Sequence, residues 1–243
     1  VHATYFFTTT AFDTGWIRQL YDTTSRGIIQ QALDAGHHLG SHSFSHFPDF
    51  YWSIPLGESA TAESYFPQYS WYVDETFGVS IVGELGVSRW LLEQDFGIPV
   101  DSFRSGYLLR PFDFEQGLTL TGYRRDTSFA GGPARGAFPF RLWDDDELGN
   151  VTTFPVLEYP MTLDDTGLDQ TLTVVDAWEE VLRANYANNA PTVLLVHPTP
   201  DLEGVDAIHE LLSRIGDLDL WIGDLGTFGE HWEAQGTTCS RWP

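Results

Sequence analysis

The feature that most constrains this chain is a regular alternation of short apolar segments with stretches of helical periodicity. Seven segments have the composition of β-strands, and they cover residues 3–8, 38–42, 101–104, 123–127, 152–157, 192–197 and 218–222. Four stretches between them carry apolar residues at helical spacing, namely residues 25–35, 84–96, 171–187 and 205–215. This alternation over 243 residues predicts an α/β fold, in which helices cover a parallel sheet as either a barrel or a doubly wound sheet.

One region departs from this alternation. Residues 47–77 have no clear period and are rich in aromatic side chains. We interpret them as an insertion into a single domain that spans residues 1–243. The rings either form a small core of their own or provide flat surfaces on which sugar rings stack, and Trp52 and Trp71 are the candidates for the second role.

The charge of the chain excludes several classes of partner. All 12 basic residues are arginines, against 35 acidic residues, which gives a net charge of −23 and a pI of about 4.3. Such a surface repels nucleic acid and anionic lipid, and no apolar run is long enough to span a membrane. A strongly acidic surface favours solubility in concentrated salt, so we hypothesise a halophilic source. Cys239 is the single cysteine and cannot form an internal disulfide.

A histidine-rich segment supplies candidate metal ligands. His42 and His46 lie four residues apart, which is about one helical turn, so both imidazoles can face the same way and bind one metal ion. This spacing alone is a weak signal, but Gly36 before the segment and Gly40 within it indicate a helix end and a close backbone approach. Zinc is the expected metal, while iron, cobalt or nickel would suit similar ligands.

Other chemistry-bearing residues follow further predicted strands. Arg104 ends the third segment, Asp126 lies near the end of the fourth, and His197 ends the sixth. In parallel α/β barrels the carboxyl ends of the strands build the active site. We therefore expect these residues to meet the histidine pair in one hollow.

Five segments occur in a characteristic order along the chain: residues 3–7 (ATYFF), 35–46 (AGHHLGSHSFSH), 96–104 (FGIPVDSFR), 122–128 (GYRRDTS) and 194–198 (LLVHP). In this order they resemble the polysaccharide deacetylase (NodB-homology) domain, carbohydrate esterase family 4. The resemblance implies a distorted, incomplete (β/α) barrel of about seven parallel strands. It also implies metal-dependent removal of acetyl groups, N-acetyl groups above all, from a carbohydrate polymer in an extracytoplasmic setting.

The resemblance also implies a role for each candidate residue. His42 and His46 would bind the metal, and Arg104 would orient the catalytic carboxylate. His197 would be the general acid, with Asp126 paired to it. A backbone N–H near Tyr107 would stabilise the oxyanion. Arg104, His197 and Asp126 each have a plain structural alternative, as an ion pair, a core histidine and a surface aspartate respectively.

Two departures from the family pattern qualify these roles. The pair of adjacent aspartates that supplies a metal ligand and the general base in the family would precede the segment matched by residues 3–7. We therefore expect the chain to be truncated at its N-terminus; Asp13 is a remote substitute and is by default a solvated loop residue. Gly106 replaces a proline of the family before Tyr107. The alternative hypothesis is a catalytically inactive carbohydrate-binding or cell-envelope module on the same fold.

Overall fold

The chain forms two compact units. In the computed structural model, the described residues are 1–9, 22–46, 50, 54–70, 72–73, 75–131, 136–145, 148–165, 174–197 and 203–234. The first unit comprises Val1–Ser128, Phe140–Glu158 and Gly223–Pro243, and the second comprises Phe129–Pro139 and Tyr159–Ile222. Both units belong to one chain, and the interpretation of residues 1–243 as a single domain stays a prediction.

The strands of the first unit, in chain order, are β1 (Thr4–Phe7), β2 (His38–Ser41), β3 (Gln68–Ser70), β4 (Glu75–Phe77), β5 (Ser102–Phe103), β6 (Arg125–Asp126), β7 (Phe140–Asp145) and β8 (Val151–Glu158). Six of them form one sheet in the order β1-β2-β5-β6-β8-β7, and β3 and β4 form a separate hairpin. All neighbours in the large sheet are parallel except β7 and β8, which are antiparallel. The predicted α/β fold with a mostly parallel sheet is therefore confirmed.

The helices are α1 (Thr23–Asp34), α2 (Ile81–Phe96), α3 (Phe114–Leu120), α4 (Val174–Ala187), α5 (Glu203–Arg214) and α6 (Leu225–Ala234), with a short 3₁₀ turn at Gly106–Leu108. Asp22 caps α1 by accepting hydrogen bonds from the N–H groups of Thr24 and Ser25. Ser80 caps α2 in the same way, and α2 ends at Gly97 with φ of 64°. The four predicted helices correspond to α1, α2, α4 and α5, whereas α3 and α6 were not predicted.

The predicted count of about seven parallel strands is corrected to a described sheet of six strands. Residues 218–222 use their backbone in local turns, because Leu218 N–H donates to Ile215 and Leu220 N–H donates to Leu218. Residues 192–197 make one isolated parallel bridge, between Leu194 and Leu163. The N–H of Val193 donates to the side-chain hydroxyl of Thr162 and not to a backbone carbonyl. Neither segment is a strand of the large sheet, and β7 was not predicted.

Each unit has its own apolar core. The larger cluster packs α2 and α3 against the sheet and includes Ile29, Leu39, Leu85, Phe103 and Val156, all at most 2% exposed. The second unit packs α4 on α5 around the fully buried Trp178. None of the helices in the described ranges has the length and apolar character needed to cross a membrane.

The aromatic-rich insertion is partly core and partly surface. Phe50 is 2% exposed and its ring lies 6.3 Å from that of Phe114, while Tyr65 is 5% exposed. Phe66, Tyr72 and Phe77 are more than half exposed. Some rings thus belong to the core and others face outward, as both interpretations of the insertion allowed.

Candidate active site

The candidate site lies where parallel strands of the first unit end. His42 follows β2, Arg104 follows β5, Asp126 is the last residue of β6 and Glu158 is the last of β8. The ring centroids of His42 and His46 are 4.7 Å apart. Residues 42–46 form an irregular turn with φ of 71° at Ser43 and 54° at His46, so the expected helical turn is wrong although the two rings do meet.

The ring of His42 is oriented by the backbone of Arg104. Its Nδ1 lies 2.7 Å from the carbonyl oxygen of Arg104. A carbonyl oxygen can only accept, so Nδ1 carries the proton of this hydrogen bond. Metal-binding histidines commonly donate their second ring N–H to a carbonyl in this way.

The ring of His46 lies between a glycine and an aromatic ring. Its centroid is 4.8 Å from that of Tyr107, which is 63% exposed. A Cβ atom at Gly106 would approach His46 Cδ2 to 2.9 Å, so a proline or any other larger residue would displace the ring. The glycine that departs from the family pattern thus leaves room for the ring of His46 in its present position.

Arg104, Asp126 and Glu158 form a buried charge cluster at the ends of their strands. The guanidinium of Arg104 donates to the backbone oxygen of Thr127 at 3.3 Å and to its hydroxyl at 3.0 Å, and packs over the ring of Phe6. Burial lowers the pKa of Arg104 to about 10, although the charges of Asp126 and Glu158 oppose this. In the described part of the chain Arg104 thus hydrogen-bonds to Thr127 rather than to a carboxylate.

Asp126 and Glu158 are adjacent in the sheet register and both are fully buried. Burial raises the pKa of Asp126, against hydrogen bonds from Glu158 and Ser128 and the charge of Arg110. The hydroxyl of Ser128 donates to Asp126 Oδ1 at 2.6 Å. Two adjacent buried carboxyl groups disfavour the ionisation of both at once.

His197 belongs to the second unit, where its carboxylate partner is Asp165. His197 N–H donates to Asp165 Oδ2 at 2.6 Å, and His197 Nδ1 is 2.6 Å from Oδ1. The expected pairing with Asp126 is therefore corrected to one with Asp165. A place for His197 beside the histidine pair stays a prediction.

The donor set for a metal is incomplete in the described residues. The two imidazoles are suitable zinc ligands, but no group of three or more His, Cys, Asp or Glu residues that could hold a metal occurs among the residues described. Trp52, Trp71 and Asp13 lie outside those residues. Within the described residues, the geometry thus brings together two side chains of a type that can bind a metal.

Two solved structures share this architecture. The first is the crystal structure of a protein assigned as a polysaccharide deacetylase from Mycobacterium smegmatis. It matches with a TM-score of 0.65 at 17% identity, over 100% of this chain and 76% of that one. This chain has the polysaccharide deacetylase fold. The second is the Xyl-CE4 domain of a multidomain xylanase from the hindgut metagenome of Trinervitermes trinervoides, with a TM-score of 0.51 and 14% identity over 97% of this chain and 78% of that one.

At these identities the polysaccharide deacetylase fold is what the two structures share with this chain. No protein-family model matches the sequence, and no curated protein does. The resemblance inferred from five segments is confirmed at the level of fold.

The carboxylates that sequence reasoning missed on this polysaccharide deacetylase fold include Asp165, which pairs with His197, and Glu158, which neighbours Asp126. Asp165 precedes its partner His197 by 32 positions, and no local pattern connects them. Glu158 ends an apolar strand that pairs with β6. The available signal for Glu158 was an acidic residue at the end of a strand, next to Asp126 at the end of the neighbouring strand.

Proposed function

We propose that this protein is a metal-dependent hydrolase that removes acetyl groups, most favourably N-acetyl groups, from a carbohydrate polymer. The observation that carries the proposal is the His42–His46 pair. The pair lies at the carboxyl ends of parallel strands in a polysaccharide deacetylase fold, with Nδ1 of His42 held by a carbonyl. The incomplete (β/α) barrel and the extracytoplasmic setting belong to the same proposal.

His42 and His46 would hold a divalent metal, with zinc preferred because it favours imidazole ligands. When bound, the metal would supply Lewis acidity toward the acetyl carbonyl. The third ligand and the general base would be carboxylates outside the described residues. Arg104, positively charged beside Asp126 and Glu158, would orient such a carboxylate.

The remaining roles fall to Tyr107 and His197. The left-handed backbone at Tyr107, with φ of 54°, points to a special function for the turn that follows Arg104, and its amide N–H would stabilise the oxyanion. Nδ1 of His197 bonds to Asp165, so Nε2 would donate the proton to the leaving amine. Asp165 would fix the orientation of the His197 ring, and Asp126 would act through its charge on the buried guanidinium of Arg104.

The test measures acetate release from N-acetylated chito-oligosaccharide and from peptidoglycan, once with added zinc and once with a chelator. The protein is produced together with any residues that its gene encodes before Val1. We expect acetate release to depend on zinc, and we expect His42→Ala or His46→Ala to lower it more than about 100-fold. Loss of a metal ligand should weaken metal binding at least as much as loss of a residue that hydrogen-bonds to a ligand. His209→Ala, on the exposed side of α5, is the matched control and should retain activity.

Acetate release that is unchanged in chelator and in both histidine variants would contradict the metal site. Absence of release under any divalent metal would reject the enzyme. In that case, measured binding of the same oligosaccharides would indicate the non-catalytic carbohydrate-binding module.

A further inference from the structure

Glu84 is a fully buried carboxylate that contacts the turn between the two histidines. It lies in the first turn of α2 and is 0% exposed. Its Oε2 accepts from the backbone N–H of Ser45 at 2.8 Å, and its Oε1 accepts from the hydroxyl of Ser45 at 2.6 Å. Its backbone oxygen accepts from Phe44 N–H at 3.0 Å. One residue of α2 thus binds two consecutive residues of the turn at three points.

The turn needs such support because its backbone is unusual. Ser43 and His46 both have positive φ, which L-residues rarely adopt. Ser43 Oγ accepts from His46 N–H at 2.9 Å, and the next residue, Phe44, donates its N–H to the backbone oxygen of Glu84. Glu84 therefore holds both residues that lie between Ser43 and His46, since it also binds Ser45.

Tyr65 completes the arrangement from the aromatic-rich insertion. Its hydroxyl donates to Glu84 Oε1 at 2.9 Å, and its ring lies 5.3 Å from that of Phe44 in an edge-to-face orientation. We call Glu84, Ser43, Ser45 and Tyr65 the Glu84 network. Through Tyr65 the insertion is joined directly to the histidine turn.

An acid at this position is costly for stability. Burial raises the pKa of Glu84, and hydrogen bonds from Ser45, Tyr65 and Ser43 only oppose the effect. An apolar side chain of similar size would avoid this cost but would leave the N–H and hydroxyl of Ser45 and the hydroxyl of Tyr65 without their acceptor. The carboxylate therefore acts as the acceptor that orders these donors around the turn.

We propose that Glu84 is a positioning residue, which fixes the backbone between His42 and His46 so that both imidazoles reach one metal ion. This inference rests on the proposed function for its final step, but the positioning of the rings can be observed without it. Glu84 itself contacts neither substrate nor metal.

The test compares Glu84→Leu, which removes both acceptors at similar size, with Glu84→Gln, which keeps an acceptor for Ser45 N–H. Glu93→Leu is the matched control, because Glu93 lies on the same helix and accepts bonds from Arg89 and from Val100 N–H. The readouts are zinc affinity by calorimetry, the ring NMR signals of His42 and His46 in metal-free protein, and the unfolding midpoint. Tyr65→Phe, which removes the hydrogen bonds of the Tyr65 hydroxyl to Glu84 and Ser80 and leaves the bonds of Ser45 to Glu84 in place, covers the case in which Glu84→Leu does not fold.

We expect Glu84→Leu to weaken zinc binding about tenfold or more and to move both ring signals, with substantial recovery in Glu84→Gln. Tyr65→Phe should have a smaller effect of the same kind, and Glu93→Leu should change the unfolding midpoint alone. The proposal is overturned if both ring signals stay in place in Glu84→Leu or, should that variant not fold, in Tyr65→Phe. It is also overturned if Glu93→Leu moves them equally. If no variant binds zinc, the proposed metal site fails, and the ring signals alone decide the role of Glu84.

Discussion

At the scale of single residues, His38 shows that the histidines of this segment have separate tasks. It begins β2, at the opposite end of the strand from His42. Its Nε2 lies 3.2 Å from Ser102 Oγ and 3.8 Å from Asp101 Oδ1. Burial lowers the pKa of His38, against the charges of Asp101, Asp224 and Glu230, while the charge of Arg125 reinforces it. These contacts and the lowered pKa make His38 a structural histidine.

This shift predicts how stability changes in mild acid. Above the ordinary histidine pKa of 6.5, His38 is neutral in both the folded and the unfolded chain. As the pH falls, the unfolded chain binds the proton first, so His38 contributes a loss of stability that grows until the pH reaches its folded pKa. We expect the fall in melting temperature from about pH 7 to about pH 5.5 to be smaller in His38→Gln than in the wild type.

Calorimetry at several pH values measures this difference, and His231→Gln, exposed on α6, is the control for general effects of losing a histidine. Parallel curves for His38→Gln and the wild type would contradict the prediction.

The candidate residues differ in how far the sequence could predict them. His42 and His46 were found from their spacing, although an irregular turn rather than a helix brings their rings together. The partner of His197 could not be found, because the approach of Asp165 depends on how distant segments fold. Glu84 was equally hidden, since within α2 its helical pattern marks it only as one more helix residue.

At the scale of secondary structure elements, the start of α2 is packed directly against the insertion. A Cβ atom at Gly83 would lie 2.1 Å from Tyr65 Cε2 and 2.7 Å from Ser80 Oγ. Tyr65 also accepts a bond from Ser80 N–H and donates to Glu84. The ring therefore cannot move without disturbing both the helix cap and the Glu84 network.

We predict opposite effects for two glycine-to-alanine changes in helices. Gly83→Ala should destabilise the protein by about 1–3 kcal/mol, because overpacking displaces Tyr65. Gly27→Ala, in α1, should stabilise it by about 0.5–1 kcal/mol, because its added methyl meets nothing within 4 Å and alanine favours the helix. Urea unfolding measures both, and a neutral or stabilising Gly83→Ala would show that Tyr65 is not held as described.

Elements with strong periodicity were predictable and those defined by partners were not. Helix α1 has a cap and an amphipathic pattern in the sequence, whereas α2 is marked by its apolar content and by Gly97 after its last residue. The strands β5 and β6 are only two residues long, yet their positions were predicted from their apolar flanks. Residues 218–222 have the same apolar character without pairing, because a strand is completed by its neighbour and not by its own composition.

At the scale of the whole molecule, the excess of acid remains after the arginines are paired. Seven arginines form ion pairs with acidic residues in the described ranges, namely Arg26, Arg89, Arg110, Arg124, Arg125, Arg183 and Arg214. With 35 acidic residues against 12 basic ones, most carboxylates have no cation to pair with. Their mutual repulsion opposes folding unless salt screens it.

We therefore predict that the melting temperature rises by several degrees between about 0.1 M and about 2 M KCl, where the screening length falls from about 10 Å to a few ångströms. Sucrose at equal osmolality is the control, because it acts through exclusion from the surface and not through charge. A melting temperature that is already maximal in dilute buffer would reject the halophilic hypothesis.

The last described helix, α6, contacts strands of the first unit, including the first strand of the chain. Leu225 N–H at the start of α6 donates to Thr4 Oγ1 in β1, and Glu233 near its end pairs with Arg125 in β6. The second unit is encoded between these parts, so a ribosome releases all of it before α6 emerges. During synthesis the second unit can fold early, while the first unit lacks α6 until nearly the entire chain has emerged.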